Sequence, residues 1–243
     1  MNDKNYSRSL IKSGRIANNQ HRQISLAASF GLLLMTVFII LAEVVAMADI
    51  IVASDAAATV ENIINNQRRF RFGIVAYLGV AILDLVVAWA FYVFLKPAKD
   101  NLSLLAAWSR LVYTIILGMA LVNLYIVVQV LGNADYLSTF ETSQIQAQVM
   151  LLLGAFRDTW DVGYVFFGLH LFILGIAAFR SGFIPKVIGG ILIAAGISYL
   201  IDYLGWMLFP ELRLGVSYIF GYGELIFMIW LLIWGGKAEK TQK

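Results

Sequence analysis

Six predominantly apolar stretches, each 20 to 28 residues long, decide what this chain can fold into. They run Ile24–Met47, Phe72–Leu95, Leu104–Leu131, Trp160–Phe179, Phe183–Phe209 and Leu214–Trp234. An α-helix crosses the hydrocarbon core of a bilayer with about 20 apolar residues, so each stretch is long enough for one crossing. None shows the period-two alternation that a membrane β-barrel strand needs, with one face to lipid and one to the lumen. The balance of residue types agrees: 60% of the 243 residues are apolar and 14% charged, where soluble domains carry about 25% charged residues. The sequence therefore predicts an all-α bundle of six transmembrane helices over residues 24–235. A basic arm (1–23) precedes it and a short tail (236–243) follows, with no room for a separate soluble domain. Ordinary cytosolic enzymes are excluded, and the absence of Cys excludes disulfide scaffolds and thiolate metal sites.

Orientation follows from the bases, because cytoplasmic loops are enriched in Lys and Arg. With the N-terminus inside, 13 of the 18 Lys and Arg fall on inner segments. Arg68, Arg69, Arg71, Arg157 and Arg213 remain outside. Both termini of a multi-pass membrane protein are thus expected in the cytoplasm. Trp108 and Trp234 at inner ends, and Trp160 and Trp206 at outer ends, fit interfacial anchoring. Residues 24–47 are too long for the apolar region of a secretory signal and contain Glu43, so they are read as a retained first helix. Lys4, Arg8, Lys12 and Arg15 recur at helical spacing in the arm. They read as a solvated, orientation-setting tail, with lipid contact as the alternative. Nucleic-acid binding is not expected, because the arm lacks interleaved aromatic residues.

The connections are unequal. Gly182 suits a left-handed helix cap and Pro185 a first helical turn, so helices four and five should form a tight antiparallel hairpin. The link Lys96–Asn101 is also short, with Asp100 or Asn101 as a cap for helix three. Residues 48–71 and 132–159 are longer than a turn requires. Short amphipathic helices are expected in both. Ser54 or Asp55 would cap the first, whose apolar edge is Val60, Ile63 and Ile64. The second would lie on the outer interface with Ile145, Val149, Leu152 and Phe156 on one face.

Function is sought among the ionisable residues inside the spans, because each costs roughly 2.5–3.5 kcal/mol at a helix centre. Counting along the spans places Asp84, His170 and Glu224 near mid-membrane and Glu43, Asp161 and Asp202 towards the outer ends. Arg110 falls near the inner mouth, which leaves the acids with no base at their depth. Such an excess implies protonated acids or a bound cation. The candidate ligand-binding residues are Asp84, Glu224, His170, Asp202, Asn123 and Tyr222, around a polar cavity open to the outside. Asp84, Glu224 and His170 are also the residues able to hold a metal. No organic cofactor is expected. Glu43 and Asp161 read instead as interfacial acids paired with outer arginines. These features favour binding or transport of a small cationic or proton-coupled solute over an enzyme. The alternatives are an intramembrane enzyme acting on a lipid or isoprenoid, and a non-catalytic sensor or assembly factor. Gly196-Ile197-Ser198-Tyr199 is similar to the serine motif of rhomboid proteases, but the intramembrane His precedes it, reversing the chain order.

Several motifs carry a family likeness. They are Arg69-Phe70-Arg71 with Asp84 and Leu95-Lys96-Pro97, and Leu104-Leu105-Ala106-Ala107 with Arg110-Leu111-Val112. Val165-Phe166-Phe167-Gly168-Leu169-His170 and Phe179-Arg180-Ser181-Gly182-Phe183-Ile184-Pro185 followed by Ile188-Gly189 complete the set. Together they resemble the bacterial domain-of-unknown-function 4386 family. The resemblance implies a small integral protein of the cytoplasmic membrane and implies no reaction.

Overall fold

The computed structural model describes residues 3–132, 139–209, 211 and 214–235, with side chains described from residue 19 onward. The expected tail at 236–243, Arg213, and the side chains of Lys4, Arg8, Lys12 and Arg15 lie outside the described set. Among the described residues all regular structure is helical: α1 (Asp3–Ile40) running into a π-helical segment (Leu41–Met47), α2 (Ala56–Asn65), α3 (Gln67–Val130), α4 (Thr142–Phe179), α5 (Lys186–Leu208), α6 (Ser217–Phe220) and α7 (Gly223–Trp234).

Five helical stretches are long and apolar enough to cross a membrane: Asn19–Met47, Gln67–Val130, Thr142–Phe179, Lys186–Leu208 and Ser217–Trp234. Their surfaces show the solvent they are built for. Along α3, Phe72, Val75, Leu78, Ile82, Leu85 and Trp89 recur every three or four residues and are exposed, Val75 by 61%. The opposite stripe, Tyr77, Ala81, Asp84, Ala88, Phe91 and Leu95, is buried. A helix with its large apolar residues outermost and its carboxylate innermost is the inverse of a soluble amphipathic helix. The chain is a membrane protein.

At 64 residues, α3 would be about 96 Å long if straight, about three times the hydrocarbon thickness. It is broken at Lys99, whose φ of −150° and ψ of 73° leave the helical region two residues after Pro97. The link expected over Lys96–Asn101 is therefore a kink of one residue, not an open loop. Pro97 itself donates no N–H to the helix.

The two long connections divide. In the first, Asp55 is the cap, its carboxylate accepting from the Ala58 N–H at 2.9 Å. Val60 and Ile63 turn inward and Ile64 outward. The second corrects the sequence reading: α4 is one unbroken helix from Thr142, so no separate interfacial helix precedes the fourth span. Val149, Leu153 and Trp160 are all buried. The apolar stripe taken for an interfacial helix thus continues into the span, with no proline between them to stop it. The last apolar run is corrected in the other direction, being split into α6 and α7 by a turn at Gly221 and Tyr222.

The chain forms two compact units. One comprises the chain up to Leu33, Val86–Arg110 and the chain from Phe167; the other comprises Leu34–Leu85 and Leu111–Phe166. In the first, Gly182 turns the chain with φ of +82° between α4 and α5. Pro185 stands immediately before α5, not within its first turn. The hairpin is close: a Cβ on Gly175 would lie 2.6 Å from the Ile193 nitrogen, and one on Gly189 2.6 Å from the Phe179 nitrogen. At the end of α7 the carbonyls of Leu231, which also accepts from the Gly235 N–H, and Leu232 accept from Arg22, at 3.2 and 2.8 Å. Ser25 Oγ also donates to Leu231, which completes a C-terminal cap supplied by α1.

In the second unit the π-helical segment lies against α3. Arg69 donates to the Val45 carbonyl at 2.6 Å and meets Asp49 at 3.4 Å. Glu43, expected to pair with an outer arginine, instead accepts from the Tyr77 hydroxyl at 2.6 Å. Arg69 is held by the Val45 carbonyl and Asp49 instead. Trp160 donates to the Tyr113 hydroxyl and packs edge-on against Tyr77.

Candidate functional site

Three elements of the first unit bring ionisable side chains together in its interior. Arg110 comes from the second half of α3, His170 from α4 and Glu224 from the first turn of α7. Arg110 and His170 are 0% exposed and Glu224 is 7% exposed. The Arg110 guanidinium pairs with Glu224 through Nη1. The same nitrogen lies 3.1 Å from His170 Nε2, and that ring nitrogen lies 3.9 Å from the Glu224 carboxylate.

Hydrogen-bond bookkeeping fixes the imidazole. His170 Nδ1 is 2.8 Å from the Ala106 carbonyl, which can only accept, so Nδ1 carries the proton. A guanidinium can only donate, so Nε2 offers Arg110 its lone pair. His170 is therefore the neutral Nδ1–H tautomer, and both ring nitrogens are in use. Glu224 gains further from its place at the start of α7, where the helix dipole favours negative charge.

Aromatic rings pack around the guanidinium and the imidazole. Phe91 and Phe167 place their faces 5.8 and 5.6 Å from the guanidinium carbon, within cation–π range. Phe91 also stacks on His170 and packs against the fully buried Phe227.

The mid-membrane residues of the sequence reading are thus placed as follows. His170 and Glu224 are together. Asp84 belongs to the other unit, where it is fully buried on α3. Asn123 is also in that unit and donates to the Ala120 carbonyl of its own helix. Asp202 faces α6, accepting from the Val216 and Ser217 N–H groups. Tyr222 is 60% exposed at the turn before α7. The expectation that Glu224 has no base at its depth is overturned by Arg110. Depth had been assigned from backbone position, whereas a long Arg side chain carries its charge well away from its Cα. The signal was present: apart from Lys186 at the start of the fifth run, Arg110 is the one base inside any of the six apolar runs. Ser198 Oγ donates to the Ala195 carbonyl of its own helix, and no serine–histidine pair forms at the Gly-x-Ser motif. Among the described residues no three His, Asp or Glu side chains gather as a group able to hold a metal.

The family described as "Domain of unknown function (DUF4386)" matches over residues 27–235. The chain belongs to this family. All three residues of the DUF4386 chain's buried site fall within the matched segment. An uncharacterized protein of Archaeoglobus fulgidus is 32% identical over 170 residues, covering 70% of this chain and 88% of the relative. No solved structure gives a significant match.

Proposed function

We propose that this DUF4386 protein crosses the cytoplasmic membrane six times with both termini inside, and that it binds and moves a small solute in a proton-coupled cycle. The observation that carries this reading is the buried Arg110–Glu224 pair hydrogen-bonded on to His170, contributed by three separate helices. A buried ion pair costs desolvation that packed apolar side chains would avoid, so it is weak evidence of a purely structural role. Intramembrane ionisable groups commonly mark ion or proton pathways.

The geometry suits coupling. Protonating Glu224 removes a negative charge from beside a fully buried guanidinium, and with it the Coulombic attraction that holds the pair in an apolar site. His170 cannot take a proton at Nε2 while that lone pair accepts from Arg110. The proton therefore goes to Glu224, and its arrival weakens the contact that joins α7 to α3, so protonation favours the separation of those helices. The split between α6 and α7 lies two residues before Glu224, and discontinuous helices at charged mid-membrane sites are a recurring device of transporters. Because Arg110 already meets the Glu224 charge, proton coupling is favoured over simple capture of a cationic solute.

The test is a thermal-unfolding screen of purified wild type and E224Q against a panel of amines, amino acids and carboxylates. It is run at pH values about one unit either side of the imidazole range. A compound that stabilises wild type but not E224Q, and that drives a pH change inside dye-loaded proteoliposomes, is the expected result. Equal stabilisation of E224Q, or no stabilising compound at either pH, would overturn the proposal.

A further inference from the structure

We infer that Asp202 is a positioning residue for Glu224, acting as a latch that holds α6 closed against α5. This deepens the proton-coupled reading, on which its functional meaning rests. The carboxylate of Asp202 is divided between two consecutive backbone donors: Oδ1 accepts from the Val216 N–H at 3.0 Å and Oδ2 from the Ser217 N–H at 2.6 Å. These belong to the residue before α6 and the first residue within it.

α6 has little else of its own to rely on. It is a single turn of four residues, none of them buried. Tyr218 is 82% and Ile219 72% exposed. One helical turn does not sustain itself, since nucleation fixes several residues for one hydrogen bond. A cap delivered from another helix substitutes for the missing length. Both ends of the element are jointed. Gly215 before it has φ of +67°, a conformation glycine adopts without strain. At its other end Tyr222 leaves helical geometry, with ψ near 3°. There the chain passes close to α5, because a Cβ on Gly221 would come within 3.2 Å of the Tyr199 ring. Two residues further on is Glu224. The latch therefore sets where α7 begins, and with it where the Glu224 carboxylate meets Arg110.

Asparagine makes a sharp test. Its amide oxygen can accept from one of the two N–H groups, but its NH₂ would oppose the other, donor against donor. Hydrogen exchange of backbone amides is measured by mass spectrometry on the full chain in detergent, with no solute present. In D202N, segment 214–222 is expected to exchange about fivefold to tenfold faster than in wild type. The effect should spread to 223–228, while the α4–α5 turn stays as protected as in wild type. The chain contains no Cys, so D202C/S217C supplies an internal control for folding. Its reduced form should exchange like D202N, and its oxidised form should recover protection. Wild-type exchange in D202N and in the reduced pair would overturn the latch. Acceleration confined to 214–217, with 223–228 unchanged, would reduce Asp202 to a cap with no hold on Glu224. Failure of the solute screen with these exchange results intact would remove the transport reading and leave the latch standing.

Discussion

At the scale of single residues, the decisive contact is the one between Arg110 and Glu224. Truncating one member of a buried pair leaves the other without its opposite charge in an apolar site, whereas replacing both with apolar side chains removes the desolvation cost of the pair, although His170 Nε2 loses its donor. R110A is therefore expected to lose about 3–5 kcal/mol of stability, with E224A suffering similarly. R110L/E224L should lose far less than the sum of R110A and E224A. Reversible unfolding in detergent across the four proteins checks this, and additive losses would show that the two charges are not coupled. The two acidic and imidazole members were legible in the sequence, since an ionisable residue within an apolar run stands out by cost alone. Arg110 was misplaced by depth, because a linear count records where a backbone lies and not how far a guanidinium reaches. Asp202 was legible as a buried-span acid, but its partners are backbone N–H groups, which no sequence pattern displays.

Individual elements were legible where local chemistry punctuates the chain. Gly182 and Pro185 announced the α4–α5 turn, and Asp55 the start of α2. Elements were illegible where apolar character runs on through a change of structure. The stripe of Ile145, Val149, Leu152 and Phe156 reads as a helix of its own although α4 is one helix, and the apolar run from Leu214 to Trp234 hid the split between α6 and α7. The hairpin supports a comparison of neighbours at this scale. A Cβ added at Gly189 meets the Phe179 backbone, whereas one at Gly190 meets nothing within 4 Å. G189A should force α4 and α5 apart and cost about 1–3 kcal/mol, as overpacking does. G190A should be neutral or stabilising by up to about 1 kcal/mol, from the helix propensity gained. Thermal unfolding of the two variants side by side reads the difference, and equal melting temperatures would mean that backbone contact at Gly189 does not limit the packing.

For the whole molecule, the question is how many times the chain crosses the membrane, and Lys99 is where the answer turns. If α3 crosses twice, its kink at Lys99 must stand in the cytoplasm, and the bases flanking it, Lys96 and Lys99, agree with that side. A single crossing would instead bury Lys99 within the bilayer and place the two termini on opposite faces. The absence of native Cys lets single cysteines report side by their reaction with a membrane-impermeant maleimide. Ser54, Lys99, Glu141 and Arg180 are all exposed, so each can be replaced without disturbing packing. S54C and E141C are expected to label in intact cells, and K99C and R180C only after permeabilisation. Labelling of K99C from outside, or its failure to label on either side, would defeat the six-crossing arrangement. That outcome would also remove the arrangement with both termini in the cytoplasm from the proposal, because the sidedness of every later segment is counted through α3.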